Sequence, residues 1–204
     1  LFSERDFAGD SLSSVGGVWT AVLRSVLIAV PRGVAMACYR GIGAFFEPFL
    51  DFIRYLPVPA MVPLLIIWFG VGEASKIAVL WMGTFFQLVL LINEDIKRVP
   101  REYVESGFTL GANQWQVIRD IVVPAGLPNM VDNLRITLGW CWTYLIIAEI
   151  VAASSGVGHV IWSLRRFVKT PEVMAGIIAI GIIGLLTDQA FRYAHRRGFR
   201  YLDR

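Results

Sequence analysis

Val131-Asp-Asn-Leu-Arg-Ile-Thr-Leu-Gly-Trp140-Cys-Trp-Thr-Tyr-Leu-Ile-Ile-Ala-Glu149-Ile-Val-Ala152 decides what kind of molecule this is. Its strongly polar members, Asp132, Asn133, Arg135 and Glu149, all stand near its ends. A helix needs about 20 apolar residues to cross the hydrocarbon of a bilayer, and this run supplies them. Working outward, Val173 to about Ala190 repeats the pattern, with Asp188 and Gln189 at its far end. Ile77–Ile92 is broken only by Thr84 and Gln87. Pro57–Val71 is short and carries Pro57, Pro59 and Pro63, which suits a kinked span whose freed backbone groups are satisfied by neighbours. Val18–Tyr39 is the least regular. Arg24, Pro31 and Arg32 interrupt it, and an arginine near a bilayer centre costs roughly 2.5–3.5 kcal/mol on insertion scales.

Composition agrees. Of 204 residues, 56% are hydrophobic and only 17% charged, and the mean hydropathy is +0.60. Soluble domains carry roughly 25% charged residues. Disorder is excluded by 13% aromatics and by the aliphatic runs. A disulfide scaffold is excluded by a cysteine count of two. Cys38 and Cys141 lie in apolar stretches and read as small buried hydrophobes. The class is an all-α polytopic membrane protein with about five transmembrane helices. The net charge of +3 is not a nucleic-acid face, because the basic residues sit between and after the apolar runs, as juxtamembrane charges do; the expected surroundings are membrane lipid. The chain starts at Leu1, and Glu4, Arg5, Asp6 and Asp10 do not make a signal peptide, so the expectation is an N-terminally incomplete chain.

Five spans place the two ends on opposite sides. With the tail inside, eleven Lys/Arg fall on the inner side and five outside, among them Arg165, Arg166 and Lys169. The bias toward the inside sets the C-terminus in the cytoplasm of a bacterial inner-membrane, multi-pass protein. The expected division is an outer-side N-terminal segment at 1–17, a transmembrane domain at 18–192 and a basic cytoplasmic tail at 193–204. Arg40–Leu56 sets Phe45, Phe49, Phe52 and Ile53 against Glu47, Asp51 and Arg54, the pattern of a helix lying in the interface. Ala153–Glu172 reads as a loop opening with Ser154, Ser155, Gly156 and Gly158.

The insertion at 93–130 carries the most specific pattern. Pro100 suits the first position of a helix and Glu102 its positive end. Gly111 suits a left-handed helix stop, and Asn113 suits an N-cap. Trp115, Ile118 and Ile121/Val122 form the apolar face of a second short helix that Pro124 ends. The product is two short helices at a sharp angle, a shape that either anchors a loop at the interface or docks into a groove of a soluble partner.

This stretch resembles the cytoplasmic coupling signature of ABC-importer permeases, which reads Glu-Ala-Ala, three residues, Gly, nine residues, Ile-any-Leu-Pro. Glu105-Ser106-Gly107 takes the first place and Gly111 the next; nine residues on stand Ile121, Val122, Val123 and Pro124. Ser106 and Gly107 replace the alanines and Val123 the leucine. Phe52-Ile53-Arg54-Tyr55-Leu56-Pro57, Val62-Pro63-Leu64, Trp68-Phe69-Gly70-Val71-Gly72-Glu73 and Ala148–Gly158 are similar to the nitrate, sulfonate, taurine and bicarbonate permeases. The likeness runs from about Ala35 to the C-terminus; ahead of it the family carries a further span and a cleaner counterpart of Val18–Tyr39.

The resemblance implies a type I importer permease that works as a pair of copies with two ATP-binding subunits and an extracytoplasmic solute-binding protein. ATP is then bound by the partner, and the permease holds no cofactor or metal and is not an enzyme. Glu105, Ser106, Gly107, Gly111, Ala112, Trp115, Ile118, Ile121 and Pro124 form the ATPase-coupling set, with Glu105 and Gly111 shaping the connection and Trp115 and Ile118 making apolar docking contacts. No phosphate loop of the Gly-x4-Gly-Lys-Ser/Thr type occurs in the chain. Glu149 is the intramembrane ionisable group, expected in a structural or gating role because a carboxylate repels an anionic solute. Arg135 is expected to snorkel, and Thr84 and Gln87 to bond between helices or, as the alternative, to line a path. The competing functions are a stand-alone channel or secondary transporter and, more remotely, a membrane-embedded hydrolase using Ser155 and His159.

Overall fold

A computed structural model describes residues 7–153, 155–165 and 170–199. Ser154, Arg166, Lys169 and the tail beyond 199 lie outside the described residues, as do Glu4, Arg5 and Asp6. The described residues form helices and no strand. Helices α1 (Phe7–Cys38), α2 (Arg40–Arg54), α3 (Val58–Phe69) and α4 (Glu73–Lys97) come first. The short α5 (Arg101–Thr109) and α6 (Gln114–Val117) follow, and then a π-helical turn, Ile118–Val122. The chain ends in α7 (Val123–Val151), α8 (Val157–Arg165) and α9 (Thr170–Gly198). Four runs are long and apolar enough to cross a membrane: Gly9–Cys38, Glu73–Lys97, Gln114–Val151 and Val173–Gly198. The bent pair α2–α3 makes a fifth if it is one broken span. Four of the five expected spans each fall on one long helix; the short Pro57–Val71 span is the 12-residue α3, which reaches the required length and apolarity only together with α2.

The centre is α4, with α1 packed parallel along one side and α7 antiparallel along the other. Small residues let α1 approach closely, as membrane helix pairs require. A Cβ on Gly33 would come within 2.9 Å of the Val89 carbonyl oxygen, and one on Gly17 would meet the Lys76 side chain at 3.0 Å. Ser25 and Thr84 hydroxyls join the two helices at 2.8 Å. The inter-helix bond expected of Thr84 is therefore made. Along α4–α7, Gly83 lies against the Tyr144 ring and Gly126 against Ile96.

Several expectations need correcting. The helix that holds the first expected span reaches back beyond Val18. Helix α1 starts at Phe7 and carries the 17/18 boundary inside it, because Ser13, Ser14 and Gly17 pack against α4 and α7. Pro31 sits inside α1 without ending it, as membrane helices allow. Pro124 does not end the second short helix. The π turn ahead of it carries a bond from the Val123 N–H to the Ile118 carbonyl, one residue longer than in an α-helix. That wider turn takes up the proline, and α6, the π turn and α7 run as one rod from Gln114 to Val151. The expected loop Ala153–Glu172 contains α8. Helix α9 continues to Gly198, so the basic tail expected from residue 193 begins as helix. Arg135 does not snorkel alone: Nε and an Nη (3.0 Å for the latter) donate to the Asp188 carboxylate on α9.

Candidate functional site

The corner between α5 and α6 is built from two caps. Leu110 closes α5, and Gly111 follows with φ +84°. The Gly111 N–H donates to the Phe108 carbonyl at 3.0 Å and the Ala112 N–H to the Gly107 carbonyl at 3.1 Å. These two bonds make a Schellman motif, which uses a glycine to stop a helix and turn the chain. Asn113 then opens α6. Its side chain accepts from the Gln116 N–H at 3.0 Å, and the Gln116 side chain accepts from the Asn113 N–H at 2.8 Å. The pair is a capping box, and it fixes the entry direction of the rod. Both caps stand where the sequence expected them.

The corner packs down through Gly107. It is buried, and a Cβ there would collide with Ile121 and stand 3.2 Å from Val117. Val104 and Ala112 join the same packing under α5. Glu105 is exposed on α5, where its carbonyl accepts from the Thr109 hydroxyl at 2.9 Å. Ser106 is exposed and donates to the Glu102 carbonyl at 2.6 Å. Ile121 is half-buried and Pro124 exposed. Ile118 does not face outward as expected: at 7% exposure it is buried within the chain. Trp115 (65% exposed) and Leu110 (87% exposed) do face outward, with Tyr103 and Phe108. Leu110 and Tyr103 were missed as surface groups because the sequence stripe alone does not say which side of α5 the rod covers.

At the other end of the bundle lies a buried polar cluster that sequence reasoning saw only as Glu149. Lys76 and Glu149 are 0% exposed and 3.7 Å apart. Lys76 Nζ reaches Glu73 Oε1 at 2.7 Å and Ser13 Oγ at 3.0 Å. Glu149 accepts from Ser14 Oγ at 2.5 Å and from the Gly158 N–H at 2.8 Å. The Ser14 oxygen in turn accepts from the Val157 N–H at 3.0 Å, and Asp10 accepts from the Gly156 N–H at 2.8 Å. Four elements (α1, α4, α7 and the start of α8) are thereby tied by charge and by hydrogen bonds around the fully buried Lys76 and Glu149, where each bond counts for more, with Glu73 half exposed at the edge. Ser155 Oγ lies 3.3 Å from Ser13 Oγ and from Glu73 Oε1. Its partners among the described residues are thus a hydroxyl and a carboxylate. Gln87, expected to bond between helices or to line a path, lines a cleft of ≈ 310 Å³ beside the α2–α3 bend.

Residues 29–199 match the family described as binding-protein-dependent transport system inner membrane component. The taurine transport system permease protein TauC of Escherichia coli (strain K12) is 33% identical over 91% of this chain and 67% of its own length. The putative aliphatic sulfonates transport permease protein SsuC of Bacillus subtilis (strain 168) is 37% identical over 75% of this chain and 55% of its own. Among solved structures, an inward-facing MetNI methionine ABC transporter chain superposes with a TM-score of 0.79 at 18% identity, covering 97% of this chain and 96% of that one. An amino acid ABC transporter chain superposes with a TM-score of 0.73 at 16% identity, covering 96% and 93%. The fold is that of an ABC-importer permease. The matched span, the relatives and the helical architecture carry one conclusion: this chain belongs to the binding-protein-dependent transport system inner membrane component family, the non-enzymatic, multi-pass permeases of ABC importers.

Proposed function

We propose that this permease moves a small sulfonate, taurine or similar oxyanion inward, driven by two separate ATP-binding subunits docked on the α5–α6 corner. A second permease copy completes the channel, and an extracytoplasmic solute-binding protein delivers solute to the end that holds Lys76 and Glu149. The observation that carries the reading is the corner itself. Tyr103, Phe108, Leu110 and Trp115 form an exposed apolar surface on a turn held rigid by two caps. An apolar helix face with a polar rim suits a groove on a soluble partner. The same end of the bundle carries Arg98, Arg101, Arg119, Arg196 and Arg197, which supports a cytoplasmic placement of the corner and of the C-terminus. The solute class follows the names of the taurine and aliphatic sulfonate relatives.

The test is copurification with the ATPase encoded beside the permease. Leu110→Ser with Trp115→Ala touches exposed groups only, so expression and thermal stability should stay unchanged while ATPase capture falls by an order of magnitude or more. Capture at the original level would overturn the docking reading. A stand-alone channel or secondary transporter would instead keep uptake after ATP depletion with the ion gradient held.

A further inference from the structure

Helices α2 and α3 meet at 99°. The bend is made by Tyr55, Leu56 and Pro57, which belong to neither helix. It does not lie at an end of the bundle. It stands over Gly83 and Gln87 in the middle of α4 (Glu73–Lys97) and beside Tyr144 on α7. Non-helical backbone at the depth of the hydrocarbon is tolerated only where it is buried in protein or lines a water-filled cavity. Here it lines the cleft of ≈ 310 Å³, a space that holds on the order of ten waters at their liquid volume.

The same cleft is lined by Arg54 from the last turn of α2. It is the one charged side chain among the described residues lining the cleft. A guanidinium at this depth faces protein or water rather than lipid, and such groups mark solute paths. Its recorded partners both lie on the α2 side: Asp51 Oδ1 at 3.2 Å and the Tyr55 hydroxyl at 3.5 Å. Asp51 itself does not line the cleft, and a part-exposed pair three residues apart on one helix binds weakly. The Gln87 amide and the hydroxyls of Tyr55 and Tyr144 add neutral donors. The first turn of α3 opens on the cleft through Pro57 and brings the positive end of that helix's dipole, while the last turn of α2 brings a negative end through Ile53 and Arg54, so the net charge of the cleft is set by Arg54. Sites at the midplane formed by the ends of discontinuous helices hold anionic groups in this way.

We infer that the cleft at the α2–α3 bend is a water-filled way-station for a small oxyanion of sulfonate type, with Arg54 as its counter-charge and Gln87 and Tyr144 as neutral donors. The inference deepens the proposed transport reading and rests on it for the direction of movement. It places solute selectivity in the membrane subunit at a point that a cation of equal size cannot occupy.

The test is charge-selective labelling in membranes containing the intact transporter. Gln87→Cys and Tyr144→Cys are made separately with Cys38 and Cys141 replaced by alanine, and each is treated with an anionic or a cationic methanethiosulfonate. Both positions should react, with the anionic reagent accelerated about fivefold by Arg54 and the cationic reagent slowed by a similar factor, the effect expected of one unit charge a few ångström away in a wet site. Arg54→Gln should abolish both effects and Arg54→Lys should restore them. Taurine or ethanesulfonate should slow the anionic reagent. No reaction at either position, or the same ratio with and without Arg54, would overturn the anion cleft. Capture of the ATPase reads the corner alone, so a failure there sinks the transport reading and leaves the labelling ratio standing, and the converse holds.

Discussion

Lys76 Nζ and the Glu149 carboxylate meet at 3.7 Å between α4 and α7, and neither side chain has exposed surface. Removing one charge of a buried pair strands the other, at a cost of about 3–5 kcal/mol. Lys76→Met alone is expected to lower the melting temperature of the detergent-solubilised permease sharply. Adding Glu149→Gln should return part of the loss, because the neutral amide still accepts from the Gly158 N–H. A thermal double-mutant cycle measures the coupling, and additive effects would contradict this account.

Gly156 and Gly111 both have positive φ, +111° and +84°. A Cβ at Gly111 meets open space, whereas one at Gly156 collides with the Glu149 carboxylate. Gly111→Ala should therefore cost only the left-handed backbone term, about 1–2 kcal/mol. Gly156→Ala should cost more and expose the polar cluster. Melting temperatures in the order wild type, Gly111→Ala, Gly156→Ala are the expected result, and Gly111→Asn should be milder than either, since asparagine tolerates this conformation.

Gly107 leaves no room for a methyl group because Ile121 fills the space above it. Gly107→Ala is expected to push the α5–α6 corner off the rod, costing about 1–3 kcal/mol as overpacking does, and to weaken ATPase capture several-fold. The obstructing atom is the Ile121 Cδ1 methyl. Ile121→Val removes it, so the double variant should recover capture. Measuring capture for the four combinations checks the contact directly.

Arg135 and Asp188 join α7 to α9 by a two-point ion pair, with Arg192 3.7 Å from the same carboxylate. Asp188→Arg should loosen α9 and raise its sensitivity to limited proteolysis, and Arg135→Asp in the same chain should reverse this. Both side chains are about 30% exposed (29% and 31%), so the stability change should be small, about 1 kcal/mol, and proteolysis is the more sensitive reading.

Much of the fold was legible where the signal is local. The run Val131–Ala152, the helix stop at Gly111 and the N-cap at Asn113 each declare themselves within a few residues, because span length, left-handed backbone and capping chemistry are local properties. The rest depends on partners far apart in the chain. Ser14 and Glu149 are separated by 135 positions and Lys76 and Ser13 by 63, so nothing near Lys76 marks it as buried; by sequence it reads as an ordinary charge after a glycine-rich turn. Pro124 misled for a different reason. Proline ends an α-helix, but the π turn ahead of it removes the conflict, and no residue type signals a π turn.

The unbroken rod from Gln114 to Val151 has a mechanical meaning. Thirty-eight residues at helical rise make a bar roughly 57 Å long. One tip bears the Trp115 indole outside the bundle, and the other is pinned near Glu149 by three elements, α1, α4 and α8. A lever clamped at its far tip cannot slide when its near tip is pushed; it can only tilt. The compliant point along it is the wound-out turn at Ile118–Val122, three residues past the knob, so a thrust there splits between bending that turn and swinging the whole bar about its clamp.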